Sequence, residues 1–215
     1  MRSAGGAAAA TVISQGLSAA LCIVFAFRKN ELLRLTREDM RPDGRMMMKC
    51  VTTGLPIAAQ NGLISISMIA IQRVTNGFGE TVMAAYTASM RIEQFVQQPF
   101  SSLNAALSAF VGQNIGAGSR DRALKGCRVT LLISSGFATL AAAVFFFASR
   151  ALAGCFVSGA GVIEMCGSAL SLTACFYVFL GMIHVLRGFL NGAGDTGYAL
   201  ANGLTEVITR VGLSL

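Results

Sequence analysis

Charge is what this chain has least of. Only 13% of its 215 residues are charged, 17 lysines and arginines against 10 acids. A soluble domain carries about a quarter charged residues, so most of this surface does not face water. Histidine occurs once, as His184. With so few imidazoles and embedded acids, the chain lacks the nucleophile-and-base pair or metal-binding cluster that an enzyme site requires. The six cysteines, Cys22, Cys50, Cys127, Cys155, Cys166 and Cys175, include no C-x-x-C pair, which removes metal-site spacing. Only Cys155 and Cys166 flank one outer loop and are open to a disulfide; the others read as small buried apolar residues. Also missing is the third glycine of a dinucleotide loop. "FVGQNIGAGSRDRALKG" (Phe110–Gly126) offers Gly112, Gly116 and Gly118, but an apolar run of helical length precedes it where a strand is required. These absences exclude an enzyme, a bound cofactor or metal, and a nucleotide-binding loop.

What the chain does have is apolar length. Hydrophobic residues make up 54% of it, and its mean hydropathy is +0.64. A helix needs about 20 apolar residues to cross the hydrocarbon core. On that measure, spans fall at Ala4–Phe27, Val51–Val74, Thr81–Gln113, Cys127–Ser149 and Cys166–Gly188, with a sixth from Ala199 cut off at Leu215. The third is long for a straight crossing and predicts tilt, an interfacial first turn or a bend at Pro99. The first is too long and polar for a signal peptide. A net charge of +7 would raise nucleic acid as a partner in a soluble protein. Here the basic residues sit between apolar runs, so the partner is the lipid bilayer.

Those basic residues also fix an orientation. Arg28, Lys29, Arg34, Arg37, Arg41, Arg45 and Lys49 fill the first loop, and Arg120, Arg122, Lys125 and Arg128 the third; Arg187 flanks the fifth. The second and fourth loops carry only Arg73 and Arg150. Basic loops stay cytoplasmic, so odd-numbered loops are expected inside. The first loop, "RKNELLRLTREDMRPDGRMMMK", predicts a cytoplasmic linker over residues 28–50, with a short surface helix before the Pro42-Asp43-Gly44 turn. Gly116 and Gly118 are expected to end the third span at its cytoplasmic side, and Gly112-x-x-x-Gly116 permits close helix approach.

Most spans carry a polar stripe at helical period. In the first it is Thr11, Ser14, Gln15, Ser18 and Cys22; in the second Asn61, Ser65, Met68 and Gln72. The third aligns Thr87, Arg91, Gln94, Gln98, Ser101 and Ser108. The fifth aligns Thr173, Tyr177, His184 and Asn191, and the sixth Asn202, Glu206 and Thr209. The fourth has no such stripe and is expected to be the most lipid-exposed. Small polar residues can simply join helices. Glutamines at Gln94, Gln97 and Gln98 are large for that role, and Arg91 and Glu93 need solvation or partners, so the stripes read as the lining of a hydrated cavity. His184 is a functional candidate as an ionisable group inside a span; a neutral ring hydrogen-bonded to a neighbouring helix is the plainer reading. The candidate substrate-cavity residues are Asn61, Ser65, Met68, Gln72, Arg91, Gln94, Gln98, Ser101, Tyr177 and His184.

Four blocks then carry a resemblance: "AATVISQGLSA" (Ala9–Ala19), "GLPIAAQ" (Gly54–Gln60), the long run Val74–Ala123 and "LRGFLNGAGDT" (Leu186–Thr196). In this order they resemble the multidrug and toxic compound extrusion (MATE) transporters. The resemblance implies an all-α polytopic membrane protein, a helical bundle of twelve helices in two six-helix lobes around a central cavity. It places residues 1–27 as the last helix of the first lobe, 28–50 as the interlobe linker and 51–215 as the second lobe without its last helix. About six of the twelve helices are accounted for, so the chain resembles a fragment or a truncated reading frame. "GLPIAAQNGLISISMIAIQ" carries no acid, where some branches hold a second-lobe carboxylate. The chain is in this respect similar to the bacterial DinF-type branch, whose ion-coupling aspartate lies in the first helix, outside this sequence. The activity implied is secondary antiport in the bacterial inner membrane: organic cations or amphipathic drugs leave as protons or sodium enter. A lipid-linked oligosaccharide flippase of the same fold and a non-transporting remnant are the alternatives. No coupling-ion site is placed from the sequence.

Overall fold

Glycine sets the corners of this fold. The computed structural model describes residues 2–29 and 41–214, and the helices among them are α1 (Arg2–Lys29), α2 (Gly44–Asn76), α3 (Glu80–Gly116), α4 (Arg120–Phe156), α5 (Ala160–Ala174), α6 (Tyr177–Ala193) and α7 (Thr196–Ser214). Gly79, Gly118, Gly159 and Gly194 have positive φ and stand at the α2–α3, α3–α4, α4–α5 and α6–α7 joints. At the end of α3 the turn needs Gly118 at φ 72°, while Ser119 N–H returns to Asn114 O at 2.8 Å and closes the last turn. Gly116, expected to share that role, is the last helical residue, and a Cβ there would meet nothing within 4 Å. The expected surface helix before Pro42 and the arginines Arg34 and Arg37 lie outside the described residues.

The chain divides into two compact units, Met1–Lys49 and Cys50–Leu215. In the first, α1 holds an 18-residue window, Ala8–Phe25, of mean hydropathy 1.8. Its polar stripe is exposed, as are the apolar residues around it. At the start of α2, Asp43 caps the helix: Arg45 N–H donates to Asp43 Oδ1 at 2.9 Å, which satisfies one of the donors a helix start leaves open. The helix therefore begins at Gly44, seven residues before the expected span.

In the second unit α3, α4, α5 and α6 enclose a core of Phe100, Ala138, Phe145, Ala153, Cys166 and Leu170. α3 runs unbroken through Pro99 over 37 residues, roughly 55 Å at helical rise. α4 corrects an expectation. Its buried positions, Ala123, Cys127, Ser134, Ala138, Ala141, Phe145, Ser149 and Ala153, recur at helical spacing. The helix therefore has a buried face rather than being the most exposed, and apart from Phe145 that face is built of small residues, which let helices approach closely where no water drives association. Its opposite side carries Leu132 and Phe147, 75% and 86% exposed. The six cysteines are all free, with Cys155 exposed and Cys166 buried, so no bridge joins that pair. Cys22, Cys50 and Cys175 are exposed as well, contrary to the reading as buried apolar residues.

The expected fifth span is two helices. α5 and α6 meet at an angle of 56° across a short break. No proline lies there; competing hydroxyls do. Thr173 Oγ1 donates to Leu170 O at 3.1 Å and Ser171 Oγ to Gly167 O at 2.9 Å, while Phe176 N–H bonds back only three residues, to Thr173 O. Such side-chain donors share the last turn's carbonyls, but Thr87, Thr130 and Thr139 do the same within the unbroken α3 and α4, so they accompany the break rather than account for it alone. Three described helices, α1, α2 and α4, are long and apolar enough to cross a membrane, and four such spans result if the bent pair counts as one.

Candidate functional site

Two polar regions lie in the second unit, and they differ in kind. The first is the outer face of α3. Thr87, Arg91, Gln94, Gln98 and Ser101 are spaced four or three apart and are all exposed. On the other side of the same helix Ala85, Ile92, Val96, Phe100, Leu107 and Val111 are buried. The 3.6-residue period thus separates a core-facing apolar side from a mainly polar side left open by this unit, which Phe95, 71% exposed, shares. Ser108 departs from that stripe: its carbonyl is where a Cβ on Gly192 of α6 would collide.

The other predicted cavity residues scatter. On α2, Asn61 and Ser65 are exposed and Met68 and Gln72 half-buried; Ser65 Oγ donates to Asn61 O at 2.9 Å and Gln72 Nε2 to Asn76 Oδ1 at 3.0 Å. The buried polar residues of α2 are Gln60, Ser67 and Thr75, on a different side from the expected stripe. Tyr177 is a core residue, 4% exposed, with its ring edge-on to Phe145 at 5.4 Å. His184 stacks on Phe100 at 6.1 Å, and its backbone carbonyl accepts from Asn104 Nδ2 at 2.8 Å. That bond clamps α6 to α3, where Gly188 sits so close that a Cβ would lie 2.7 Å from Asn104 O.

The second region is a charged cluster joining α2, α6 and α7. Arg187 Nη2 donates to Asn202 Oδ1 at 2.7 Å and to Glu206 Oε2 at 3.2 Å. Arg210 Nη2 donates to Glu206 Oε1 at 2.8 Å. Gln60 Nε2 reaches Asn202 Oδ1 at 3.4 Å, and Gly203 permits this approach, since a Cβ there would lie 2.9 Å from Gln60 Cγ. Each oxygen of Glu206 is thus held by a different arginine. The Arg187 and Glu206 side chains are 19% and 25% exposed. A cavity of about 100 Å³ adjoins the cluster, lined by Arg187, Asn191, Tyr198 and Asn202 among leucines and an isoleucine.

Sequence reasoning had Asn202 and Glu206 on one face, but it counted Arg187, at the end of the fifth span, only as a charge flanking the fifth loop, and it passed over Gln60. A signal for Arg187 existed, since it lies three residues after His184 and four before Asn191, on the polar stripe of that helix. Gln60 carried none beyond its type; the glycine opposite it is on a helix 143 residues later.

The MatE family model matches residues 56–214. Among curated proteins, the chain is similar to the "Probable multidrug resistance protein YpnP" of Bacillus subtilis, 28% identical over 88% of this chain and 42% of that protein. It is similar to the "Probable multidrug resistance protein NorM" of Thermotoga maritima, 22% identical over 89% of this chain and 41% of that one. An "FAD transporter" of Shewanella oneidensis is 25% identical over 86% of this chain and 41% of its own length. The chain spans about two fifths of these relatives' length.

Proposed function

The chain belongs to the MatE family, and from that premise we propose that it supplies the second lobe of a secondary antiporter for organic cations and amphipathic drugs. The exchanged ion is a proton or sodium, and substrate moves by alternating access of two lobes. One observation carries the reading: α3 presents Arg91, Gln94, Gln98 and Ser101 together on an exposed face, while Ile92, Val96, Phe100, Leu107 and Val111 on its other side are buried in the core. Hydrocarbon is a poor environment for such a row, whereas a hydrated path between lobes suits it. Amide and hydroxyl groups with few fixed charges match amphipathic cargo better than a bare inorganic ion. The names of the Bacillus and Thermotoga relatives support drug export, and the lack of any acid in α2 supports the DinF-type branch. On the distribution of lysine and arginine, the loop around Arg120 and the 28–50 linker lie on the cytoplasmic side of a bacterial plasma membrane.

Replacing Gln94 and Gln98 by leucine in a complete two-lobed protein carrying this lobe tests the proposal. The drug-resistance profile should change while membrane abundance stays the same. Unchanged resistance to every substrate would remove the α3 face from the transport path.

A further inference from the structure

α3 and α4 leave an apolar groove between them, next to the Gly118 turn. Its volume is about 500 Å³, and Leu103, Ala106, Leu107, Phe110 and Val129 form its apolar walls. The four from α3 recur at steps of three and four, a single stripe along roughly 10 Å of helix. A Cβ on Gly126 of α4 would collide with the Phe110 ring, so glycine there lets the ring rest against α4. Thr130 also lines the groove, but its hydroxyl already donates to Gly126 O at 2.9 Å.

One end of this groove is charged. Arg122 and Lys125 line it, and both precede Gly126, Val129 and Thr130 on α4, so they stand nearest the turn. Both are exposed. Among the described residues the ion pairs are Arg150–Glu164, Arg187–Glu206 and Arg210–Glu206, and neither cation belongs to one. Among the described residues no acid lines the groove either. A more polar hollow of about 460 Å³, which includes Ser119 and Arg120, shares Arg122 and Lys125 with it. α4 is long and apolar enough to cross a membrane, which sets its charged first turns at the water boundary and Val129 towards the hydrocarbon.

Cations at the boundary and apolar walls leading inward match the build of a phospholipid with an anionic head group. We propose that the α3–α4 groove binds one anionic phospholipid, its phosphate between Arg122 and Lys125 and an acyl chain along Leu107 and Phe110. Arginine grips phosphate through paired N–H donors, and lysine adds a point charge. A cationic drug would meet two like charges here, and a free anion would gain nothing from the apolar walls. An apolar helix in the same place would leave both cations without an anion. The proposal requires the bilayer but not drug export, so it stands apart from the antiport reading.

Native mass spectrometry of the detergent-purified chain tests this, by titration with phosphatidylglycerol or with phosphatidylcholine of the same acyl chains. Phosphatidylglycerol should bind roughly tenfold more tightly than phosphatidylcholine. Arg122→Gln combined with Lys125→Gln should remove that preference. Arg73→Gln combined with Arg128→Gln takes away as much charge from exposed positions outside the groove, and should keep it. Ala106→Trp, a bulky side chain at an exposed position, should block the acyl chain and weaken binding with every cation in place. Glycerol phosphate, a head group without chains, should not displace the lipid at millimolar concentration. Equal loss in the two charge pairs would reduce the effect to net charge and overturn the proposal. Displacement by glycerol phosphate would do the same, by making this an anion site. So would unchanged affinity in Ala106→Trp, or a dimer of the chain that Ala106→Trp disrupts.

Discussion

Adding a single methyl group at Gly188 should force α6 away from α3. A Cβ there would stand 2.7 Å from Asn104 O, 3.0 Å from Asn104 Cα and 3.2 Å from its carbonyl carbon. These are backbone atoms and cannot rotate aside. Restoring ordinary carbon contact distances requires the helices to part by roughly 0.5–1 Å. That separation stretches the Asn104 Nδ2 to His184 O bond, now 2.8 Å. Overpacking of this kind costs about 1–3 kcal/mol, and loosening the clamp adds about 1 kcal/mol. For a domain of this size the sum corresponds to a melting temperature lower by roughly 4–16 °C. The assay is thermal loss of the monodisperse peak of a fluorescent fusion in detergent, with Gly116→Ala as control. Nothing lies within 4 Å of a Cβ at Gly116, and alanine suits a helical position, so that variant should be neutral or slightly more stable. A Gly188→Ala protein that melts with the wild type, or a Gly116→Ala protein that falls equally far, would refute the packing argument.

Other outcomes follow from the same geometry. Glu206→Gln and Arg187→Met should each destabilise by roughly 1–3 kcal/mol, since each strands a largely buried partner. The double substitution should cost less than the two together, as a double-mutant cycle would measure; strict additivity would deny the pairing. Gly118→Val should be harmful where Gly116→Val is mild, because only Gly118 has positive φ and a branched side chain resists that conformation; equal abundance of the two in membranes would contradict this. In a cysteine-free, complete protein, Ser158→Cys should react with an impermeant thiol reagent outside intact cells and Arg120→Cys should not; the reverse pattern would invert the proposed orientation.

The legibility of this chain depended on distance along the sequence. Helix presence followed from apolar length, and the turn glycines Gly79, Gly118, Gly159 and Gly194 stand where apolar runs stop. The polar face of α3 was readable because Arg91, Gln94, Gln98 and Ser101 lie within three turns of one another. The α5–α6 break was not, because the stretch around Ser171 and Thr173 holds no proline and its composition reads as continuous helix. The face of α4 was missed for another reason: alanine and serine carry little signal on a hydropathy scale, though in lipid they mark where helices meet. Least visible was the Gln60–Asn202–Arg187 junction, whose members come from three helices and meet only through tertiary packing.

The central claim, that the polar face of α3 lines the substrate path, is tested most directly by photocrosslinking from defined positions. A photoreactive amino acid is placed at Gln94 or Gln98 in a complete two-lobed protein, and at Leu132 on the outer side of α4 for comparison. A radiolabelled cationic dye is then irradiated with each in native membranes. Labelling at Gln94 and Gln98 that unlabelled substrate competes away, with none that competes at Leu132, is the predicted result. Equal, non-competable labelling at all three positions would contradict it, and would make the α3 face a surface for lipid or for another helix.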